Sequence, residues 1–185
     1  MEQMDTIRLR EAEPPDAAAL GALHVAAWRE AYAGILPPSL LDSLSADRSA
    51  AMWRAVLDDP SGYGDAALFV AESEGAMVGF GACFAQRDEA LAARGIDGEI
   101  GAVYVLQAHQ GAGIGRALMR LMALRLLDQG RQAASLWVLR ANATARRFYE
   151  ALGGTPAGEK TVTEAGATYD EVAYAWPDIT ALLRR

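Results

Sequence analysis

A glycine-rich turn in the middle of the chain, Gln-Gly-Ala-Gly-Ile-Gly-Arg over residues 110–116, constrains the fold more than any other feature. It follows an apolar, strand-like run over 99–106 and leads into a segment whose apolar residues recur at helical spacing. Three glycines in five positions disfavour the start of a helix, because each loses more backbone entropy on ordering than a residue with a side chain. The glycines therefore indicate that something approaches the backbone closely at this junction between a strand and a helix, which side chains would prevent.

This turn has two interpretations. At a helix N-terminus, unpaired N–H groups and the helix dipole favour an anion, most simply a phosphate, and Arg116 adds positive charge. The other interpretation is a tight turn that needs glycine for packing alone. The position between a strand and an amphipathic helix favours phosphate binding. The dinucleotide pattern G-x-G-x-x-G fits poorly because Gly115 comes one residue early, and the P-loop pattern fits poorly because Arg116-Ala117 replaces Lys-Ser or Lys-Thr.

The order of the remaining segments predicts a mixed α/β sheet with helices on its faces. Alternating or apolar runs predict strands over 6–10, 67–71, 77–84, 99–106 and 135–139 and a final hairpin within 155–176. Helical spacing predicts a helix that ends at Gly34, a single helical stretch between Pro38 and Pro60, a long helix closed by Gly130 and a short helix within 142–152. We expect one domain, made of a strand and two helices over 6–60, a core over 66–154 and the C-terminal hairpin over 155–176.

Composition excludes several classes of protein. Among 185 residues, 24 are acidic and 17 basic, and the formal net charge of −7 disfavours nucleic acid and anionic membranes as partners. Cys83 is the single cysteine, so a disulfide-held scaffold is excluded. The polar, acidic N-terminus is unlike a signal peptide, and no apolar run reaches the roughly 20 residues that cross a bilayer. We therefore expect a cytoplasmic protein.

Four segments together resemble the GCN5-related N-acetyltransferases (the GNAT superfamily). Gln110-x-x-Gly113-x-Gly115 resembles the family signature Q/R-x-x-G-x-G/A, and the strand at 102–105 is similar to the family's fourth strand. Asn142-x-x-Ala145-x-x-Phe148-Tyr149-x-x-x-Gly153 resembles the family's second cofactor segment, and 27–37 is similar to openings common among bacterial members. The resemblance extends from Thr6 to Trp176.

The resemblance implies a fold and a cofactor. The fold is a mostly antiparallel central sheet with flanking helices, in which the parallel strands at 100–106 and 135–139 splay apart. The cofactor is acetyl-CoA, with its pyrophosphate on the turn and its pantetheine arm in the gap between these strands, where unpaired main-chain groups need partners. The implied cofactor contacts are Val103, Tyr104, Val105, Gln110, Gly111, Ala112, Gly113, Ile114, Gly115, Arg116, Asn142, Phe148 and Tyr149.

The implied activity is direct, sequential transfer of an acetyl group from acetyl-CoA to a primary amine. Tyr149 matches the family's general acid, which protonates the leaving thiolate, and a core tyrosine is its alternative. Glu99 stands where related enzymes carry a carboxylate that deprotonates the amine through water; its alternative is a solvated glutamate at a strand edge. Asn142 either contacts the cofactor or caps the following helix, or does both. A main-chain N–H near 103–105 is the implied oxyanion donor.

Other candidate residues have simpler interpretations. Cys83 has no base nearby in sequence, so we interpret it as a core residue rather than a nucleophile. His24 and His109 lack the spacing of a metal site, and no metal is expected. Trp28 and Tyr32, one helical turn apart, are either core residues or a wall of the acceptor pocket.

Two further functions stay open beside the transferase. One is a CoA-binding sensor or regulatory module without turnover. The other, a nucleotide-dependent oxidoreductase, needs the glycine spacing that is missing. The partner implied by the main hypothesis is a small-molecule or peptide amine, and the final hairpin with Trp176 offers a strand edge that permits a homodimer.

Overall fold

The computed structural model of the chain describes residues 7–164 and 166–184. Thr6, the first residue of the first predicted strand, lies outside this part of the chain. The strands are β1 (Arg8–Glu11), β2 (Ala67–Ser73), β3 (Ala76–Ala85), β4 (Gly98–Val105), β5 (Ala134–Leu139), β6 (Thr155–Glu164) and β7 (Ala167–Trp176). The α-helices are α1 (Ala17–Ala31), α2 (Pro38–Asp42), α3 (Ala46–Asp58), α4 (Glu89–Ala92), α5 (Ile114–Asp128) and α6 (Ala143–Ala151). Short 3-10 turns span Pro14–Asp16, Ser61–Tyr63, Gln107–His109 and Ile179–Leu183.

The described strands form one mixed sheet in the order β1-β2-β3-β4-β5-β7-β6. Neighbouring strands are antiparallel except β4 and β5, which are parallel. The predicted fold class, a mostly antiparallel sheet with one splayed parallel pair and flanking helices, is confirmed. No helix in the described ranges is long and apolar enough to cross a membrane.

The parallel strands separate soon after they meet. Only Gly98 with Ala134 and Glu99 with Ser135 are paired, although both strands continue for several residues. On its other edge β4 stays paired with β3 as far as Val105, apart from a bulge at Gly101, where a side chain would collide with the Phe84 ring. The main-chain groups of β4 that face β5 beyond Glu99 are therefore without strand partners, as a splayed pair requires.

Helices cover both faces of the sheet. On one face α5 buries Leu118, Met122 and Leu126 completely, at the spacing that the sequence predicts. On the other face α1 and α3 pack against β2 and β3 through Leu20, Leu23, Trp53, Val56 and Phe80. The sheet is thus the middle layer of three, and α1 is the helix nearest to the gap on its side.

Two details of the sequence prediction are wrong. The stretch between Pro38 and Pro60 forms two helices, α2 and α3, because the Ser45 side chain accepts a hydrogen bond from the Arg48 N–H and begins a new helix. Trp176 is not available to a partner, since its ring is buried and its N–H donates to the Leu152 carbonyl. A homodimer through the β6 edge stays a prediction.

Candidate active site

A cavity of about 1010 Å³ opens at the gap between β4 and β5. It brings together every site residue predicted from the sequence except Ala112, which does not line it. We call one part the turn half, lined by Gln110, Gly111, Gly113, Ile114, Gly115, Arg116, Asn142 and Phe148. We call the other part the sheet half, lined by Trp28, Tyr32, Trp137, Lys160, Tyr169 and Glu171.

The turn half presents main-chain N–H groups. Gly111 and Gly113 both have φ of +81°, a left-handed conformation that favours glycine, and α5 begins immediately afterwards. No N–H from residue 111 to residue 116 has an acceptor within the described residues, and the helix's hydrogen bonding starts with the Ala117 N–H to the Gly113 carbonyl, 3.0 Å away. Six consecutive donors and the positive end of the α5 dipole are the features that favour an anion at such a turn.

Packing explains the third glycine. A Cβ at Gly115 would stand 3.1 Å from the Phe148 ring, which is tighter than ordinary contact. Packing therefore accounts for Gly115, and backbone conformation accounts for Gly111 and Gly113. The Gln110 side chain adds a tether, since its amide donates to the Val105 carbonyl at 2.9 Å and joins the turn to the end of β4.

Helix α6 places two aromatic residues beside the gap. Asn142 caps this helix, with its side-chain oxygen accepting from the Ala145 N–H at 3.1 Å, so the capping role is confirmed. Tyr149 is only 8% exposed and packs against Phe148, Tyr174 and Trp176. Burial, and to a smaller extent the neighbouring Tyr32, raise the pKa of its phenol. Tyr149 is thus both a core residue and a protonated phenol on the cavity wall.

The end of α1 supplies an aromatic wall. The rings of Trp28 and Tyr32 meet edge to face, with centroids 5.0 Å apart. The Tyr32 hydroxyl shares a 2.9 Å hydrogen bond with the Tyr104 hydroxyl of β4. Burial raises the pKa of both phenols, so they stay neutral at physiological pH. This pair joins α1 to the splayed strand.

Glu99 is held firmly on the cavity wall. Its carboxylate accepts from Arg87 Nη2 at 2.5 Å, Arg87 Nε at 3.0 Å and the Arg87 main-chain N–H at 3.1 Å. Only 7% of the residue is exposed. The interpretation of Glu99 as a solvated glutamate at a strand edge is therefore wrong. The Arg87 guanidinium also stacks on the Phe84 ring, 4.5 Å from its centroid, which holds this ion pair in place.

Four wall residues were missed by the sequence analysis, and all lie on strands β5, β6 and β7. The pairing places Ala173 opposite Trp137, Glu171 opposite Lys160 and Leu139, and Tyr169 opposite Val162. Because directly opposed residues share a face, Trp137, Lys160, Tyr169 and Glu171 point to the same side of the sheet. The signal in the sequence was the alternation in β7, where Val172, Tyr174 and Trp176 occupy the opposite, core-facing side.

Cys83 and His24 lie outside the cavity wall. Cys83 is fully buried on β3, and burial raises the pKa of its thiol to about 12. Burial lowers the pKa of His24 to about 4, and its Nδ1 accepts from the Trp53 indole N–H at 3.2 Å. Within the described residues no group of three or more His, Cys, Asp and Glu side chains is arranged to hold a metal ion.

Comparison with known proteins gives matches over most of the chain. The model of the acetyltransferase (GNAT) family matches residues 25–154. The uncharacterized N-acetyltransferase YuaI of Bacillus subtilis is 32% identical over 177 residues, which cover 95% of this chain and 96% of that protein.

Two solved structures share the fold at low sequence identity. PaiA N-acetyltransferase from Thermoplasma acidophilum, in complex with coenzyme A, has a TM-score of 0.69 at 17% identity, covering 90% of this chain and 98% of that one. The putative acetyltransferase YncA from Salmonella typhimurium, with its cofactor acetyl-CoA, has a TM-score of 0.67 at 19% identity, covering 92% and 93%.

Proposed function

We propose that this chain, which belongs to the acetyltransferase (GNAT) family, transfers an acetyl group from acetyl-CoA directly to a primary amine. The observation that carries the proposal is the row of six unpartnered N–H groups over 111–116, beside the gap between β4 and β5. A pyrophosphate needs such donors, and a peptide-like arm needs the unpaired main chain of a splayed strand. One cavity offers both.

The residues of the turn half fit coenzyme A. The N–H groups over 111–116 and the Arg116 side chain would hold the pyrophosphate, and the main chain of Val103, Tyr104 and Val105 would hold the pantetheine arm. Asn142 and Phe148 would line the arm from α6. When bound, acetyl-CoA supplies a thioester whose acetyl carbon accepts the amine and whose sulfur leaves.

Tyr149 is the proposed general acid. Its raised pKa keeps the phenol protonated at neutral pH, so it has a proton to offer to the leaving sulfur. Its packing against Phe148, Tyr174 and Trp176 restricts the ring, which orients the hydroxyl for this role. A main-chain N–H over 103–105 is the proposed donor to the oxyanion.

Glu99 is the proposed general base, acting through water. Its carboxylate is held by three hydrogen bonds from Arg87, which fix its position on the cavity wall. A carboxylate fixed in this way can accept a proton through a water molecule that also contacts the amine. Cys83 supports direct transfer, because a buried thiol with a pKa of about 12 is a poor nucleophile at neutral pH.

An amine-dependent thiol assay tests the proposal. The purified protein is mixed with acetyl-CoA and a panel of primary amines, free thiol is followed spectroscopically, and the products are identified by mass spectrometry. The proposal predicts thiol release that requires an amine and matches the N-acetylated product one to one. Binding of acetyl-CoA without amine-dependent release would contradict it and would instead indicate a CoA-binding sensor.

A further inference from the structure

The sheet half contains polar atoms that the protein itself leaves unsatisfied. Among the described residues, three buried side-chain polar atoms have no hydrogen-bond partner: the indole nitrogens of Trp28 and Trp137 and the hydroxyl of Tyr169. All three side chains line this cavity. Trp28 belongs to α1, whereas Trp137 and Tyr169 lie on the facing strands β5 and β7. Because buried polar groups are almost always hydrogen-bonded, the two unpartnered atoms on the strands indicate that a bound molecule completes them.

A loosely held pair of opposite charges lies on the same wall. Lys160 Nζ stands 3.5 Å from Glu171 Oε2 and 4.0 Å above the Trp137 ring. This contrasts with Glu99, which accepts three hydrogen bonds from Arg87. Glu171 has no other polar partner within the described residues, so its carboxylate retains free capacity for a cation. Lys160 likewise retains donors for an anion.

The register places these groups where an acceptor must reach the gap. Glu171 lies opposite Leu139, the last residue of β5, where β4 and β5 have already separated. Tyr169 lies two residues before Glu171 on the same face of β7, farther from the paired ends of β4 and β5. Trp137 lies two residues before Leu139 on β5, nearer to those paired ends. Tyr32, the residue that follows α1, lines the same cavity, and the Glu171 carboxylate adds to the rise in the pKa of its phenol. The strand residues of the sheet half and the end of α1 therefore enclose the part of the cavity next to the gap between β4 and β5.

We propose that the sheet half binds the acceptor as an amino acid, with its ammonium on Glu171 and its carboxylate on Lys160, the Trp137 N–H and the Tyr169 hydroxyl. This rests on the proposed function. An α-amino acid carries its two charges one carbon apart, which suits the neighbouring Lys160 and Glu171. A simple amine would satisfy Glu171 but leave Trp137 and Tyr169 unpaired, and sites with buried polar groups discriminate strongly against such ligands.

Calorimetric titration of the CoA-saturated protein tests this assignment without turnover. The probes are four matched pairs, each an amino acid and the amine that lacks its carboxylate: alanine and ethylamine, leucine and isopentylamine, phenylalanine and phenylethylamine, lysine and cadaverine. We expect at least one amino acid to bind about 10-fold or more tightly than its paired amine, because the carboxylate adds charge-assisted hydrogen bonds.

Three conservative variants test whether these strand residues contact the bound amino acid. Trp137→Phe removes the N–H and keeps a ring beneath Lys160, and Tyr169→Phe removes only the hydroxyl. Each should weaken the preferred amino acid about 2- to 10-fold and leave its paired amine unchanged. Glu171→Gln should weaken both members of the pair. Glu159→Gln, an exposed neighbour on β6, and Tyr63→Phe, an exposed tyrosine, are the matched controls and should change nothing.

The outcomes separate this inference from the proposed function. The protein is first titrated with CoA alone, and absence of CoA binding in that titration would contradict the proposed function. Given CoA binding, the amino-acid assignment is contradicted if no amino acid binds better than its amine. It is also contradicted if Trp137→Phe and Tyr169→Phe weaken both members of a pair alike, or weaken neither.

Discussion

The two halves of the cavity present their polar groups in different ways. The turn half offers consecutive main-chain N–H groups, fixed by the conformations of Gly111 and Gly113 and by the start of α5. The sheet half offers side chains from three strands, among them Trp137, Lys160 and Glu171. A main-chain site recognises a common feature such as a phosphate, whereas a side-chain site can be changed residue by residue. This difference supports the proposal that the turn half binds the shared cofactor and that the sheet half selects the acceptor.

The same contrast separates the two cavity carboxylates. Glu99 is held by three hydrogen bonds from Arg87, and Glu171 has one 3.5 Å contact with Lys160. The two side chains lie on the same face of the sheet. Glu99 is paired with Ser135 and Glu171 with Leu139, so their backbone positions are four residues of β5 apart, roughly 13 Å along a strand. One carboxylate is therefore fixed in place and the other is free to bind a ligand.

The largest expected effect is the loss of turnover when the proposed acid, Tyr149, is changed. Tyr149→Phe should lower kcat about 10²- to 10⁴-fold through loss of the acid, with acetyl-CoA affinity unchanged because the ring stays in place. Since the pKa of Tyr149 is raised, this phenol should cause no fall in wild-type rate below pH 10. Steady-state kinetics and calorimetry provide the check, with exposed Tyr63→Phe as the control. A fully active Phe variant would remove Tyr149 from the mechanism.

The next effect is on cofactor affinity in the turn half. Gly113→Leu should weaken acetyl-CoA about 10- to 100-fold, because a side chain at this φ displaces the N–H groups that bind phosphate. Gly95→Leu is a matched control, since Gly95 also has φ of +81° and open space at the Cβ position. Both variants should lose similar stability in urea unfolding, but only Gly113→Leu should lose affinity. Equal affinities in calorimetry would contradict the assignment of the turn half.

A smaller effect should distinguish the two carboxylates. Glu99→Gln should lower kcat about 10-fold, with little change in KM, because it acts through water rather than by binding the acceptor. Glu171→Gln should instead raise KM for the acceptor. Steady-state kinetics with varied acceptor concentration measure both kcat and KM. A raised KM in both variants would show that the carboxylates share one role.

The smallest expected effect is on the pH dependence of the free energy of unfolding. It depends on His24, whose ring packs near Trp28 of the sheet half and near Tyr104. Burial lowers the pKa of His24 from 6.5 to about 4, so the unfolded chain binds this proton first and stability falls as pH drops from 6.5 toward 4. Between pH 7 and pH 4.5 the advantage of wild type over His24→Gln in urea unfolding should shrink by roughly 2–3 kcal/mol. A constant difference would contradict a neutral, buried His24.

The glycine turn is readable from the sequence because most of its determinants are local. Gln110 is tethered to Val105, five residues earlier, and Gly113 has a left-handed φ. Gly115 is the exception, since its contact is with Phe148, 33 positions later. The positions of the strands along the chain and the buried faces of the helices follow from apolar spacing in the same way. The single helix predicted between Pro38 and Pro60 was wrong because Ser45 looks ordinary until its side chain is seen to cap α3.

The strand residues of the sheet half were not predicted, because they meet only through strand register. Trp137 and Glu171 are 34 positions apart in the sequence, and they share a wall because β7 pairs with β5. Nothing near Glu99 in the sequence indicates that Arg87, twelve residues earlier, returns to hold it. Periodicity shows which side of a strand is apolar, but the identity of the facing strand comes from the tertiary structure.

One ¹H–¹⁵N correlation spectrum observes both halves at once, because it contains the backbone amides of 111–116 and the indole N–H signals of all four tryptophans. We expect CoA to shift the amides of the turn and to leave the Trp137 indole signal unchanged. Subsequent addition of the preferred amino acid should shift the Trp137 indole and leave the turn amides in place. If CoA shifts the Trp137 indole and not the glycine amides, the division of the cavity into a main-chain cofactor half and a side-chain acceptor half is wrong.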